Sequence, residues 1–235
     1  HTTLGVSSNV FASPAYGFND YFDYFESIGS PNQRFISGID PESYISGRSL
    51  SDIEFLRFLK DAIQSGHPIS SLGNGVVGGL RRLSRTLPVS DLFDGGATVT
   101  LKTARNLVSQ TTEPYFLFIN LMDAHLHLIP HRGLQNHSVS PLWSTYGFNQ
   151  WEYMQRREKF EKYWENRQAL YGATIEYLDR VVIEFINDLQ QQSDSPLSVV
   201  VTADHGENLG YERENGIVNH TSSLSEGLLH VPLSI

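Results

Sequence analysis

The chain contains no cysteine, so its 235 residues hold no disulfide, no thiolate metal site and no cysteine nucleophile. No apolar run approaches the roughly 18 to 20 residues that a membrane-spanning helix needs. Charged residues are sparse at 18%, against 40% hydrophobic, which reads as a globular, water-soluble chain with a real core. Lysine occurs only at Lys60, Lys102, Lys159 and Lys162. The net charge of −9, with no basic stripe to offset it, excludes a general nucleic-acid binder. No charged segment leads into a short apolar core, so these residues contain no signal peptide, and the cytoplasm is the expected compartment. Gly73, Gly75, Gly78 and Gly79 precede Arg81, Arg82 and Arg85, but the lysine-Ser/Thr end of a phosphate loop is missing.

What is present is an alternation of apolar strands and helical patterns, which means α/β with a mainly parallel sheet. Thr2 to Ser8 is β-prone, and Ser7-Ser8-Asn9 reads as its carboxyl end. The aromatic run from Tyr16 to Phe25 is expected to pack into a core. Ser51 with Glu54 makes a capping box for a helix that Gly66 and Pro68 stop. Residues 70–85 stay ambiguous because of their glycines. A helix is expected over 96–110, and Tyr115 to Leu121 reads as a central strand. From Ala169 onward Leu170, Ile175, Leu178, Val181, Phe185 and Leu189 keep helical spacing, as expected for a core-facing helix. The chain opens on His1 and closes on an apolar run ending at Ile235 that looks like a strand cut off mid-course. We therefore expect one partial domain, 1–235, of a longer protein.

The sharpest chemical signal is the apolar run Leu197 to Ala203 discharging into Asp204-His205-Gly206. The run reads as a buried parallel strand, and ligands in open α/β sheets sit just beyond the carboxyl ends of such strands. A carboxylate beside an imidazole is a plausible half-shell for a divalent cation, although an isolated Asp-His pair is more often a turn cap with an ordinary loop histidine. The strand at 115–121 ends in Asp123-Ala-His125-Leu-His127 on the same expected rim. By spacing alone these two histidines read as loop residues, with a zinc site the sharper alternative.

The string Val201-Thr-Ala-Asp-His-Gly-Glu-Asn-Leu-Gly210 resembles the second metal-binding motif of the sulfatases, a branch of the alkaline phosphatase superfamily. Asp123-Ala-His125, followed by Ile129-Pro130, is similar to their acid-Ala-His segment; Asn219-His220 and Val231-Pro-Leu233 are similar to the segment in which a basic residue precedes a short helix and a strand. Tyr171 to Asp179 resembles a further family helix, assigned to core packing. The resemblance implies an alkaline-phosphatase-like three-layer sandwich, with helices on both faces of a mainly parallel sheet. It assigns Asp204 and His205 to the metal, and His125 and His220 to substrate binding and catalysis at the sulfate or phosphate oxygens. His230 is read as structural. The chain departs from the family where relatives carry Thr-Pro-Tyr after the histidine (here Leu126-His127-Leu128) and where a tyrosine is usual (here Ser225).

The implied activity is hydrolysis of a small-molecule or carbohydrate sulfate ester. Calcium is the first expected cation, with magnesium, manganese or zinc as alternatives. A formylglycine nucleophile is implied within a Cys/Ser-x-Pro-x-Arg motif, which this sequence does not contain, so these residues alone are expected to be inactive. His205, where many sulfatases carry Asn, leaves open a phosphoesterase or phosphonate monoester hydrolase. A non-catalytic binding module is the third reading, and the joint presence of Asp204, His205, His125 and His220 argues against it.

Overall fold

The computed structural model describes residues 1–28, 35, 37–39, 41, 52–84, 96–112, 114–126, 128, 130, 138–140, 143, 145, 148–193, 195–221 and 223–235, with the backbone alone at 52–54 and 81–84. The Ser51 cap, Arg85, His127, Ile129 and His131 lie outside the described residues.

The first strand, β1 (Thr2–Ser7), is central in a parallel sheet of order β2-β1-β3, between β2 (Tyr24–Ser27) and β3 (Tyr115–Asn120). The register sets Leu4 against Leu117 and Val6 against Ile119, while Gly5 lies between Phe25 and Phe118. Alternation then sorts the faces. Val6, Leu117 and Ile119 meet a helical layer, where Leu101 and Ala104 of α3 (Ala97–Ser109) and Phe185 and Leu189 of α5 (Glu161–Gln192) complete the core. On the other face Phe118 packs with Phe18 and Phe22 at centroid distances of 5.5 and 5.8 Å. Gly5 is required there, because a Cβ would collide with the Phe25 ring. The aromatic run therefore divides: its phenylalanines pack, while Tyr16, Tyr21 and Tyr24 are exposed.

Helix α1 (Asp52–Gln64) packs on α2 (Pro68–Ser84), which resolves the ambiguous glycine-rich stretch as helix. Its glycines admit rings: a Cβ at Gly73 would lie 2.6 Å from Phe35, and one at Gly75 would lie 2.5 Å from Phe58. Short helix α4 (Gln150–Gln155), capped by the Asn149 side chain, precedes the 32 residues of α5. Along α5, Leu170, Ala173, Tyr177, Phe185 and Leu189 are buried, but Ile175 is exposed, so that one position of the expected core stripe faces solvent.

The strand before Asp204 departs from expectation. Only β4 (Val201–Thr202) is regular; it pairs antiparallel with β7 (Leu233–Ser234), and Val200 and Val201 are 62% and 41% exposed. β-branched residues favour a pleated backbone, but burial depends on a layer to cover them; Leu197 packs against the helical core, whereas among the described residues nothing buries Val200 or Val201. Two further pieces close the fold: an antiparallel hairpin of β5 (Asn208–Leu209) and β6 (Val218–Asn219), and the single turn α6 (Glu226–Leu229), which the exposed His230 closes through its backbone N–H to Glu226. Among the described residues no helix is long and apolar enough to cross a membrane.

Candidate functional site

Beyond β3 the chain turns sharply, and Ser8 ties that turn to the end of β1. The Ser8 hydroxyl donates to the Asn120 carbonyl at 3.1 Å and accepts from the Met122 N–H at 3.1 Å. One step further, Asp123 Oδ1 accepts from the Ala97 N–H at 2.9 Å, so the carboxylate caps the start of α3 from another loop. Gly96 makes room for it, since a Cβ there would collide with that oxygen. This fixes the loop carrying His125, whose Nδ1 lies 2.7 Å from the Leu126 carbonyl.

Asp204 follows β4 with its side chain 80% exposed, and its Oδ1 accepts from the His205 N–H at 3.1 Å. His205 Nδ1 lies 2.7 Å from the Gly206 carbonyl. A carbonyl can only accept, so Nδ1 carries a proton and Nε2 is the nitrogen left to meet a cation. That Nε2 lies 3.9 Å from Asp204 Oδ2. An imidazole that donates one N–H to a carbonyl, beside a solvent-facing carboxylate, is the arrangement that divalent-metal ligands adopt. The pair thus fits two positions of a cation shell. Among the described residues no group of three or more His, Asp or Glu side chains is assembled that could hold the ion alone.

The β5–β6 hairpin supplies the rest. Asn208 pairs with Asn219, so Glu207 and His220 occupy the next rung outward. The hairpin turns through Asn215 and Gly216, both with left-handed φ, which Asn and Gly tolerate best. Beneath it lie Tyr153, Trp164 and Val218, with Phe148, Phe160 and Tyr163 packed around them. His220 Nδ1 is 2.8 Å from Glu207 Oε2, and Glu207 Oε1 accepts from Arg167 of α5 at 3.1 Å. Arg167, only 1% exposed, also donates to Asn219 Oδ1 at 3.0 Å, and its guanidinium lies 4.9 Å from the Trp164 ring centre. Burial pulls the Arg167 guanidinium below its ordinary range, against Tyr163 and Glu207, which favour its charge. Burial also pushes the Tyr163 phenol up to about 12.

Chain segments far apart in sequence thus meet. The His125 and His220 rings are 5.3 Å apart, and the His205 and His220 rings 4.6 Å apart. Asp204 adjoins this cluster through His205. The sequence alone assigned no role to Glu207, Arg167 or Asp123. No local signal pointed to Glu207, because the register that sets residue 207 against residue 220 is closed across the long loop 210–217.

A family model described as Sulfatase matches residues 11–235, nearly the whole chain. The chain belongs to the sulfatase family, whose members share the alkaline-phosphatase-like α/β fold to which the parallel sheet and its helices correspond. No curated protein and no solved structure matches it.

Proposed function

We propose that this chain supplies two metal ligands and the anion-binding histidines of a hydrolase that cleaves sulfate esters, R–O–SO₃⁻ and water giving R–OH and hydrogen sulfate. The observation that carries the reading is the meeting of His125, His205 and His220 from three separate loops at one place. Asp204 Oδ2 and His205 Nε2 are the atoms that would hold a divalent cation, calcium first and magnesium, manganese or zinc as alternatives. Such an ion, when bound, neutralises negative charge on the ester and lowers the pKa of a nucleophile. His125 and His220 each have Nδ1 engaged, so Nε2 is the ring atom each presents to non-bridging or leaving oxygens, where a ring carrying a proton on both nitrogens would donate to charge as it develops. The Cys/Ser-x-Pro-x-Arg motif of a formylglycine nucleophile does not occur in this sequence, so the nucleophile would come from residues outside it.

A second reading is hydrolysis of phosphate or phosphonate monoesters. The nitrogen donor at His205 favours it, because imidazole suits zinc and other transition ions better than calcium. The deciding experiment assays the full-length protein against 4-nitrophenyl sulfate and 4-nitrophenyl phosphate, with calcium, manganese or zinc added. Faster turnover of the sulfate supports the first reading, and faster turnover of the phosphate the second. Turnover of neither, with metal bound, would leave a binding module.

A further inference from the structure

We propose that Arg167 and Glu207 are positioning residues that hold a proton on Nδ1 of His220 and fix its pose, leaving Nε2 as the one ring atom offered to the substrate anion. The inference rests on the anion-binding reading of His220 given above.

The Glu207 side chain is 7% exposed, and a carboxylate that dry needs partners on both oxygens. Arg167 takes Oε1 and His220 takes Oε2. A carboxylate held by a guanidinium can only accept, so the proton on this side of His220 sits on Nδ1. Arg167 acts through a second route as well. Its other terminal nitrogen donates to the side chain of Asn219, the residue before His220, whose backbone is left-handed with φ 61°. One buried side chain of α5 therefore holds both the carboxylate behind His220 and the backbone bend that presents it. The other two histidines differ in this respect: His125 and His205 place Nδ1 on the carbonyl of the residue that follows them, a contact no side-chain substitution removes. His220 alone among the three depends on a side chain, and the hairpin register and the Arg167 pair serve to put that side chain there.

The substitution Glu207→Gln separates positioning from packing. A glutamine amide must turn its oxygen to Arg167, because two donors cannot face each other, and its NH₂ then faces Nδ1. Nδ1 of His220 thereby becomes an acceptor, and the ring can no longer carry a proton on both nitrogens with the Glu207 charge behind it. Full-length protein labelled with ¹⁵N-histidine reads this directly in long-range ¹H–¹⁵N spectra. We expect a proton on Nδ1 of His220 in the wild type and in Glu207→Asp, and none on Nδ1 in Glu207→Gln. With 4-nitrophenyl sulfate, or the phosphate if that is the better substrate, kcat of Glu207→Gln should fall at least about 10-fold, with KM within about twofold and bound metal unchanged. An Nδ1 without a proton in the wild type would overturn the proposal. So would a Glu207→Gln protein that keeps the proton on Nδ1, or one that loses it and keeps kcat within about twofold. Should Glu207→Gln fail to fold, the wild-type and Glu207→Asp spectra decide. A wild type inactive toward both esters would overturn the functional reading, and the spectra would still support or overturn the positioning.

Discussion

The imidazoles of His205 and His220 lie 4.6 Å apart between ring centres, their planes tilted by 32°. The residue proposed to hold a cation and the residue proposed to bind the ester anion are therefore in contact. Charge placed on one side is felt on the other, and substitutions at the two should not be additive.

Asp204→Ala should lower the affinity of the full-length protein for calcium by about 100-fold or more and reduce turnover to the background rate, since it removes the exposed carboxylate of the pair. Elemental analysis of the dialysed protein checks the metal, and a variant that keeps both metal and rate would sink the assignment.

His220→Ala should leave metal content within error of the wild type and reduce kcat by about 100-fold to 1,000-fold, the usual cost of losing one donor aimed at developing charge. Steady-state kinetics with 4-nitrophenyl sulfate read the rate. An equal loss of metal would show that His220 is a ligand instead.

Arg167→Met should be strongly destabilising, by about 3–5 kcal/mol, because it leaves the Glu207 carboxylate buried without its cation. Urea unfolding of the single variant and of Arg167→Met/Glu207→Met checks this. The double variant should recover a large part of the loss, as expected when no unpaired charge remains.

Stability should also fall in alkali. Burial raises the Tyr163 phenol from 10.0 to about 12, and its hydroxyl donates to the Thr145 carbonyl at 3.3 Å. A group whose folded pKa lies above its unfolded value stabilises fully below the unfolded value and loses that contribution as pH rises through the folded one. The loss therefore runs from pH 10 to about 12, on the order of 2 kcal/mol. Tyr153 and Tyr171 are displaced in the same direction, also chiefly by burial. Melting curves from pH 8 to 12 should fall less steeply for Tyr163→Phe than for the wild type.

Gly206→Ala should disturb the site without touching a donor. A Cβ at this position collides with the backbone oxygen of Gly227, and the Gly206 N–H is bonded to the Leu228 carbonyl at 2.7 Å, so no flexible side chain can give way. We expect lower thermal stability and weaker metal binding together; a variant with unaltered melting and metal content would mean that the two segments separate freely.

The amino-acid sequence by itself determined the elements whose pattern is local. β1 and β3 follow from short apolar runs, α3 and the second half of α5 from helical spacing, and the sulfatase kinship from strings at 115–130, 171–182 and 199–233. The tertiary structure decided what depends on neighbours distant in sequence. Val200 and Val201 look like a buried strand, yet they are exposed, because among the described residues no layer covers them. Asp123 looks like part of a chemical motif, and its described role is to cap a helix that begins at Ala97. Glu207 was silent in the sequence, because a carboxylate matters here only once a hairpin register sets it against His220 and a buried arginine from α5 meets its other oxygen. Periodicity is a property of the nearest few residues, whereas burial, ion pairing and tautomer are set by whatever the fold brings within 3 or 4 Å of an atom.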